Sequence, residues 1–315
     1  MNTKSIQRFI LLAQITLIFV YLVIVAGSIV RATGSGMGCP DWPKCFGTWI
    51  PPTDVSQLPE NYKALYAGEH NAVAEFNALN TWTEYLNRLV GAMLGVLIFA
   101  QFLFSIRFRK MDSKIVSLSL VELILIGFQG WLGAKVVSSN LAPVKITVHM
   151  IVALIILAVA IVIVHRAKKL CGKTIENNDF PTIKKLSVLV FVFTIVQVMI
   201  GTQVREQVDV LLKNFDRNQV INALGTAFNL HRIFSVLILA TNFLLIRKII
   251  KSDVSRFLKK CSIWLGVFLF VELLAGITLS GYNLPAIVQP IHLLLACIIF
   301  GLQFVIILKV LRKQE

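Results

Sequence analysis

The chain has 315 residues, of which 57% are hydrophobic and 15% are charged. That composition, with a mean hydropathy of +0.77, excludes an ordinary soluble domain and a disordered chain. The formal net charge of +15 would suit a nucleic-acid ligand, so the distribution of the charges decides how it is interpreted.

Eight apolar stretches are long enough to cross a bilayer, which takes about 20 residues of helix. The predicted spans are 9–30, 83–106, 115–137, 142–164, 184–204, 224–246, 260–281 and 286–308. The first is expected to remain as a helix, because its apolar run exceeds that of a signal peptide and no convincing cleavage site follows. The sequence therefore predicts an all-α integral membrane protein with eight transmembrane helices.

Basic residues are unevenly divided between the two sides of this arrangement. The termini and the 2–3, 4–5 and 6–7 loops contain 21 of the 31 Lys and Arg residues. An excess of cations marks the cytoplasmic side, so both termini are predicted to be cytoplasmic. Because topology accounts for the positive charge, we expect no nucleic-acid partner.

The longest connection is the 1–2 loop, residues 32–81, which is predicted to lie outside. Its two cysteines, Cys39 and Cys45, can form a disulfide in an oxidising compartment. They could also bind a metal, but no nearby histidine or second cysteine pair completes a zinc site. Residues 60–78 of the loop could form a short interfacial helix.

Four sequence marks recur in order in the two halves of the chain. They are Gly27–Arg31 with Gly201–Arg205, Asn87-Arg88 with His231-Arg232, Val121–Leu123 with Val271–Leu273, and His149 with His292. The recurrence predicts two four-helix bundles, residues 1–170 and 171–315. Each copy has four spans, so both should have the same orientation, as a parallel repeat.

His231 and His292 are predicted to lie at one depth near the outer surface, since both helices enter the membrane from that side. A facing pair of imidazoles is typical of axial haem ligands. The alternative is two polar residues satisfied by their neighbours, but ionisable residues inside a membrane are costly and functional by default.

The first copy has Asn87 and His149 in the matching places, and this asymmetry suggests two haem sites with different tasks. A bis-histidine haem is closed to small ligands and suits electron transfer. A haem with an open axial position can bind oxygen or itself be oxidised.

Charged residues surround these positions. Arg31, Arg88, Arg205 and Arg232 all lie on the outer side. They could bind haem propionates as bidentate partners or anchor helix ends at the interface. Glu84 lies one turn before Asn87 and could move protons in a haem pocket or be a helix-start acid. Glu122 and Glu272, which the repeat pairs, could be structural hydrogen-bonding groups or part of a proton route.

The chain resembles the bacterial form of the haem A synthase family. The strongest match is the stretch from Gly34 to Cys45, GSGMGCPDWPKC, which is similar to that family's outer-loop cysteine signature. Glu84-x-x-Asn87-Arg88 is similar to its E-x-x-H-R motif.

Three histidines, His149, His231 and His292, fall where the family has histidines. Two departures stand out. Asn87 replaces the histidine of the motif, and asparagine is a poor ligand of haem iron. The 5–6 loop also lacks the second cysteine pair that some members have.

The resemblance implies an oxidoreductase that converts haem O to haem A for the biogenesis of haem-copper oxidases. The C8 methyl of haem O would be oxidised to a formyl group by successive hydroxylations. It also implies that Cys39 and Cys45 form the family's loop disulfide. The implied haem b site is His231, His292, Arg205 and Arg232. The implied substrate site is His149, Asn87, Arg88 and Arg31, with Glu84 as the catalytic residue.

The implied location is the bacterial inner membrane. The implied partners are haem O, an unidentified electron donor and, as a candidate, haem O synthase; a homo-oligomer is compatible with the sequence. Two other functions remain open. A haem b electron carrier predicts ligands near both membrane faces, although all four positions here lie on the outer side. A non-catalytic haem-delivery protein needs no permanent bis-histidine haem.

Overall fold

The computed structural model describes residues 3–66, 75–139, 141–172, 180–212 and 214–311. Its eight long helices are α1 (Thr3–Ala32), α2 (Ala78–Ser105), α3 (Ser113–Ser138), α4 (Pro143–Lys169), α5 (Pro181–Leu211), α6 (Thr226–Lys251), α7 (Arg256–Gly281) and α8 (Val288–Val310). All eight are long and apolar enough to span a membrane. The predicted all-α membrane fold with eight spans is therefore confirmed.

Some helices extend beyond the apolar stretches that predicted them. α5 continues to Leu211, and its last turns are polar. They are stabilised by an i,i+4 ion pair, in which Nη2 of Arg205 lies 2.8 Å from Oδ1 of Asp209. In the long loop, the predicted interfacial helix is only one turn, Tyr62–Leu65; residues 67–74 of that prediction lie outside the described residues. Another short helix, Arg217–Ala223, precedes α6.

The chain divides into two compact units, residues 1–172 and 173–315. In the first unit α1 contacts α2, α2 contacts α3, α3 contacts α4, and α4 contacts α1. The second unit has the same order of neighbours among α5, α6, α7 and α8. A duplication would produce this agreement. The parallel relation of the two copies stays a prediction.

A buried apolar cluster of the first unit lies at the end remote from the long loop. There the Phe9 ring of α1 lies 4.9 Å from the ring of Phe108 and 5.7 Å from that of Phe104. Arg166 at the end of α4 donates two 2.8 Å hydrogen bonds to the Asp112 carboxylate, which closes the same end. The predicted haem positions lie at the opposite end, near the long loop.

The second unit also has a buried apolar core at the end opposite its predicted haem ligands. Its fully buried core residues Ile183, Leu245, Leu265 and Ile306 come from all four of its helices. They lie near the start of α5 and α7 and towards the end of α6 and α8. His231 and His292, by contrast, lie within the first two turns of α6 and α8, at the other end of the unit.

Candidate functional site

Each predicted haem ligand of the second unit lies against a glycine of a neighbouring helix. A methyl group on Gly201 of α5 would lie 3.3 Å from Cε1 of His231. A methyl group on Gly276 of α7 would lie 3.5 Å from Cε1 of His292. Glycine therefore leaves room for an imidazole ring at both positions, and a larger side chain would displace the ring.

The first unit repeats this relation. A methyl group on Gly133 of α3 would lie 3.5 Å from Cε1 of His149. A methyl group on Gly27 of α1 would lie 3.8 Å from Oδ1 of Asn87. Asn87 therefore occupies in the first unit the place that His231 occupies in the second, with an amide instead of an imidazole.

The rings of His231 and His292 are adjacent in the second unit, with centroids 6.4 Å apart and an angle of 66° between the ring planes. Two imidazoles on opposite sides of one metal ion, with metal–nitrogen bonds of about 2 Å, have their centroids roughly 6 Å apart. Nδ1 of His231 is buried and has no hydrogen-bond partner in the described part of the chain. The pair therefore fits axial ligation of one haem iron.

Glutamine side chains fix the backbone at two of the histidines. Nε2 of Gln197, on α5, donates to the carbonyl oxygen of His231 at 3.0 Å. Nε2 of Gln129, on α3, donates to the carbonyl oxygen of His149 at the same distance. Sequence reasoning missed both glutamines, although an amide within an apolar span is itself a signal of a specific partner.

The pairing of Glu122 with Glu272 is wrong. α3 and α7 each have 26 residues, and aligning Gly133 with Gly276 aligns Gln129 with Glu272. Glu122 is displaced from that position by seven residues, or about two helical turns, so it keeps the same face at another depth. A three-letter match in a sequence rich in Leu and Val was too short to fix the register.

Glu122 is fully buried and accepts a 2.6 Å hydrogen bond from Nε2 of Gln101 on α2. The contact lies towards the well-packed end of the first unit, since Gln101 is in the last two turns of α2. Glu272, by contrast, lies at the histidine layer, with Oε1 3.2 Å from Nδ1 of His292.

Arg88 makes five hydrogen bonds, three to carbonyl oxygens of the outer loop and two to Glu84 of α2. Nη1 donates to the carbonyl oxygens of Asp41 and Lys44, at 2.7 and 2.9 Å. Nη2 donates to the carbonyl oxygen of Cys39 at 3.2 Å and to Oε1 of Glu84 at 2.5 Å, and Nε donates to the same carboxylate oxygen at 3.2 Å. No donor of Arg88 is left for the propionate that the sequence assigned to it.

Glu84 also binds the loop, and together Glu84 and Arg88 form a clamp that holds the loop on α2. Its side chain is buried, and Oε2 accepts a 2.9 Å hydrogen bond from the backbone N–H of Cys39. Both carboxylate oxygens therefore have partners, one in the loop and one in Arg88. The Glu84–Arg88 pair joins the first turns of α2 to the loop, in the stretch of the helix that also contains Asn87.

The loop itself is covalently closed. Cys39 and Cys45 form a disulfide and are fully buried, which confirms the predicted bond. The carboxylate of Asp41 accepts from the backbone N–H groups of Phe46 and Gly47 at 2.6 and 2.8 Å. The turn is thus held by the disulfide, by an internal carboxylate and by the clamp on α2.

The close approach of loop and helix requires a glycine at position 38. A Cβ atom there would clash with the carbonyl oxygen of Asn80. The carbonyl of Gly38 in turn accepts a 2.8 Å hydrogen bond from the Thr81 hydroxyl. The glycine-rich sequence therefore serves packing against the first turn of α2.

The other three arginines differ in the partners that their side chains contact. Arg205 donates to Oε1 of Gln289 and is paired with Asp209, while Arg31 lies in the last turn of α1. Arg232 is exposed, with its guanidinium 5.6 Å from the centre of the Phe228 ring. It has no hydrogen-bond partner within the described ranges, so it can accommodate an anion.

Comparisons with known proteins match one family over most of the chain. The COX15-CtaA family, described as cytochrome oxidase assembly protein, matches residues 10–304. The Heme A synthase of Shewanella oneidensis is 29% identical over 192 residues, which cover 60% of this chain and 54% of that protein.

Two further relatives have the same name. The Heme A synthase of Flavobacterium johnsoniae is 22% identical over 315 residues, which cover 89% of this chain and 91% of that protein. That of Nitrosomonas eutropha is 31% identical over 153 residues, covering 44% and 42%. For the Shewanella and Nitrosomonas proteins, the matched part is about half the length of the relative or less.

Proposed function

The chain belongs to the COX15-CtaA family of cytochrome oxidase assembly proteins, and from that premise we propose that it converts haem O to haem A in the membrane. The reaction would oxidise the C8 methyl of haem O to a formyl group by successive hydroxylations. The observation that carries the proposal is the His231–His292 pair, 6.4 Å apart, together with an unequal pair in the other unit. An electron donor and a source of haem O, such as haem O synthase, are the partners this activity needs.

The second unit holds the resident cofactor in this proposal. His231 and His292 would hold haem b through their two imidazoles, so that no coordination place would remain for a small molecule. When bound, haem b supplies single-electron transfer. The exposed guanidinium of Arg232 pairs with a propionate, and Arg205 is a second candidate that Gln289 and Asp209 hold in place.

The first unit holds the substrate. His149 offers one imidazole, and Asn87 offers a carbonyl oxygen and an NH₂ group in place of the second. An amide is a weak ligand, so this side of the pocket stays open to a small molecule that the amide can orient by hydrogen bonding. Arg31, at the end of α1, is the candidate partner for a propionate of haem O.

For Glu84 the sequence left open a role in proton transfer and a role as a helix-start acid. Its two oxygens already accept from Cys39 and Arg88, so we assign it to positioning the disulfide loop over the open end of the first unit. The loop then shields the pocket from water. Arg88 acts with Glu84 in this task, because its remaining donors bind loop carbonyls.

One observation favours a second candidate function. Asn87 removes a ligand from the substrate side, as would suit a haem-binding or delivery protein without catalysis. The intact clamp of Glu84, Arg88 and the disulfide favours the enzyme, because a carrier has no evident need for a shielded pocket above the open position.

The experiment is conversion of haem O to haem A in a membrane from a strain that lacks its own synthase, with haem O and an electron donor supplied. The wild-type chain should make haem A. His149→Ala should reduce the yield by about 100-fold, since the substrate loses its one strong protein ligand. Asn87→His should change the spectrum of the substrate haem by adding a ligand.

Gln101→Ala is the matched control, because Gln101 contacts Glu122 at the other end of the same unit. It should retain at least half of the activity. A wild-type chain that binds haem O but makes no haem A would favour the delivery protein, and an active His149→Ala variant would remove His149 from the substrate site.

We also propose that both termini are cytoplasmic and that the 32–81 loop is periplasmic, from the lopsided distribution of Lys and Arg. A cytoplasm-active reporter fused after residue 315 should be active. A periplasm-active reporter inserted in the loop should be active there and inactive when inserted between α2 and α3. A periplasmic C-terminus would contradict the topology and the shared depth of the four haem positions.

A further inference from the structure

One carboxylate touches a histidine of the haem pair. Oε1 of Glu272, on α7, lies 3.2 Å from Nδ1 of His292 on α8. The two atoms are close enough for a hydrogen bond, although they do not form one in this structure. The other oxygen of Glu272, Oε2, is buried and has no hydrogen-bond partner in the described part of the chain. Placing a carboxylate among apolar helices is costly, so this position requires a reason.

The corresponding residue of the first unit is different. Gln129 occupies the place of Glu272, and its amide donates to the carbonyl oxygen of His149 instead of accepting from the ring. Nδ1 is buried and makes no hydrogen bond among the described residues in His149, in His231 and in His292 alike. Of these three histidines, only His292 has a carboxylate beside its ring.

A hydrogen-bond acceptor at Nδ1 has two consequences for an axial histidine. It keeps the proton on Nδ1, so that the lone pair of Nε2 faces the iron. It also makes the imidazole a stronger electron donor, and a carboxylate does so more than an amide because charge-assisted hydrogen bonds are stronger. A stronger donor favours the ferric over the ferrous state and lowers the reduction potential.

We propose that Glu272 is a positioning residue for the haem iron ligand His292, fixing its tautomer and lowering the reduction potential of the haem b site. The proposal rests on the proposed function only in requiring haem b between His231 and His292. The Glu272–Gln129 difference then makes the two units unequal electronically. The second unit is the stronger reductant, as a donor of electrons to an oxidation elsewhere should be.

The test is a redox titration of the b-type absorbance in purified full-length protein, with the electron paramagnetic resonance spectrum of the ferric low-spin haem as a second readout. Glu272→Gln retains an acceptor of the same shape. It should keep the haem content within twofold and the low-spin spectrum, but raise the reduction potential. Glu272→Leu removes the acceptor and should lower haem affinity by about tenfold or more and shift the resonance signature.

Glu122→Gln is the matched control, since Glu122 is a buried glutamate of the first unit whose partner is Gln101. It should leave the potential and the resonance spectrum unchanged. An unchanged potential in Glu272→Gln would overturn the proposal, whether or not Glu272→Leu retains haem. The outcome is separate from the proposed function: haem A yield decides the function, and the potential of haem b decides the role of Glu272.

Discussion

Replacing His231 or His292 by alanine is expected to abolish the low-spin b-type spectrum and to lower the haem b content about tenfold or more. The centroids of the two rings are 6.4 Å apart and each ring lies against a glycine, so either histidine alone leaves an incomplete ligand set. Haem content per protein and the absorbance spectrum of the purified variants are the measurements. The protein should remain in the membrane, because the core residues of the second unit lie at the other end of its helices.

His165→Ala is the control for general effects of losing a histidine. His165 is in the last two turns of α4, remote from His149 on the same helix. It should retain the full haem content and spectrum. Wild-type spectra in both His231→Ala and His292→Ala would exclude this ligand pair and, with it, the assignment of the second unit to haem b.

The second large effect is expected for Arg88→Leu. The substitution removes every hydrogen bond from the guanidinium to the loop carbonyls and leaves the buried Glu84 carboxylate without its cation. Breaking such a buried pair by removing one partner costs about 3–5 kcal/mol. The loop should separate from α2, and the buried disulfide should become accessible to a reductant.

The measurement is thiol labelling of Cys39 and Cys45, followed by mass after a timed exposure to a mild reductant. Wild type should be labelled only slowly, since both cysteines are fully buried, and Arg88→Leu should be labelled at least tenfold faster. Arg232→Leu is the matched control, because Arg232 has the corresponding place in the second unit and is exposed. Equal labelling rates in wild type and Arg88→Leu would show that the clamp does not hold the loop.

The sequence predicted features that depend on composition and on position along one helix. The eight spans follow from apolar length, and the depth of His231 and His292 follows from counting residues from the helix ends. The Cys39–Cys45 bond was predicted because two cysteines share one short outer segment. None of these predictions requires knowing how the helices pack.

Features that depend on three-dimensional contacts were missed or mistaken. Arg88 was predicted to bind a propionate or to anchor a helix end because an arginine recurs beside both ligand positions, and nothing in the sequence indicated that backbone carbonyls of the folded loop take most of its donors. Glu272 was matched with Glu122 because hydropathy gives no register within an apolar helix. The register became visible only from the glycines that face His149 and His292.

Asn87 is the point where the two units differ most in ligand chemistry. It faces Gly27 as His231 faces Gly201, so the architecture of a ligand site is retained while the ligand is changed. The first unit therefore combines a single histidine with a shielded outer end. That combination suits a haem that is a substrate.

The most direct test of two unequal haem sites is to extract and identify the haems bound to the purified wild-type protein from a host that supplies haem O. The account predicts haem b together with haem O or haem A. It further predicts that His292→Ala selectively removes haem b and that His149→Ala selectively removes the other haem. If the wild type holds only haem b, and both substitutions lower its content, the account is contradicted and an electron carrier is indicated.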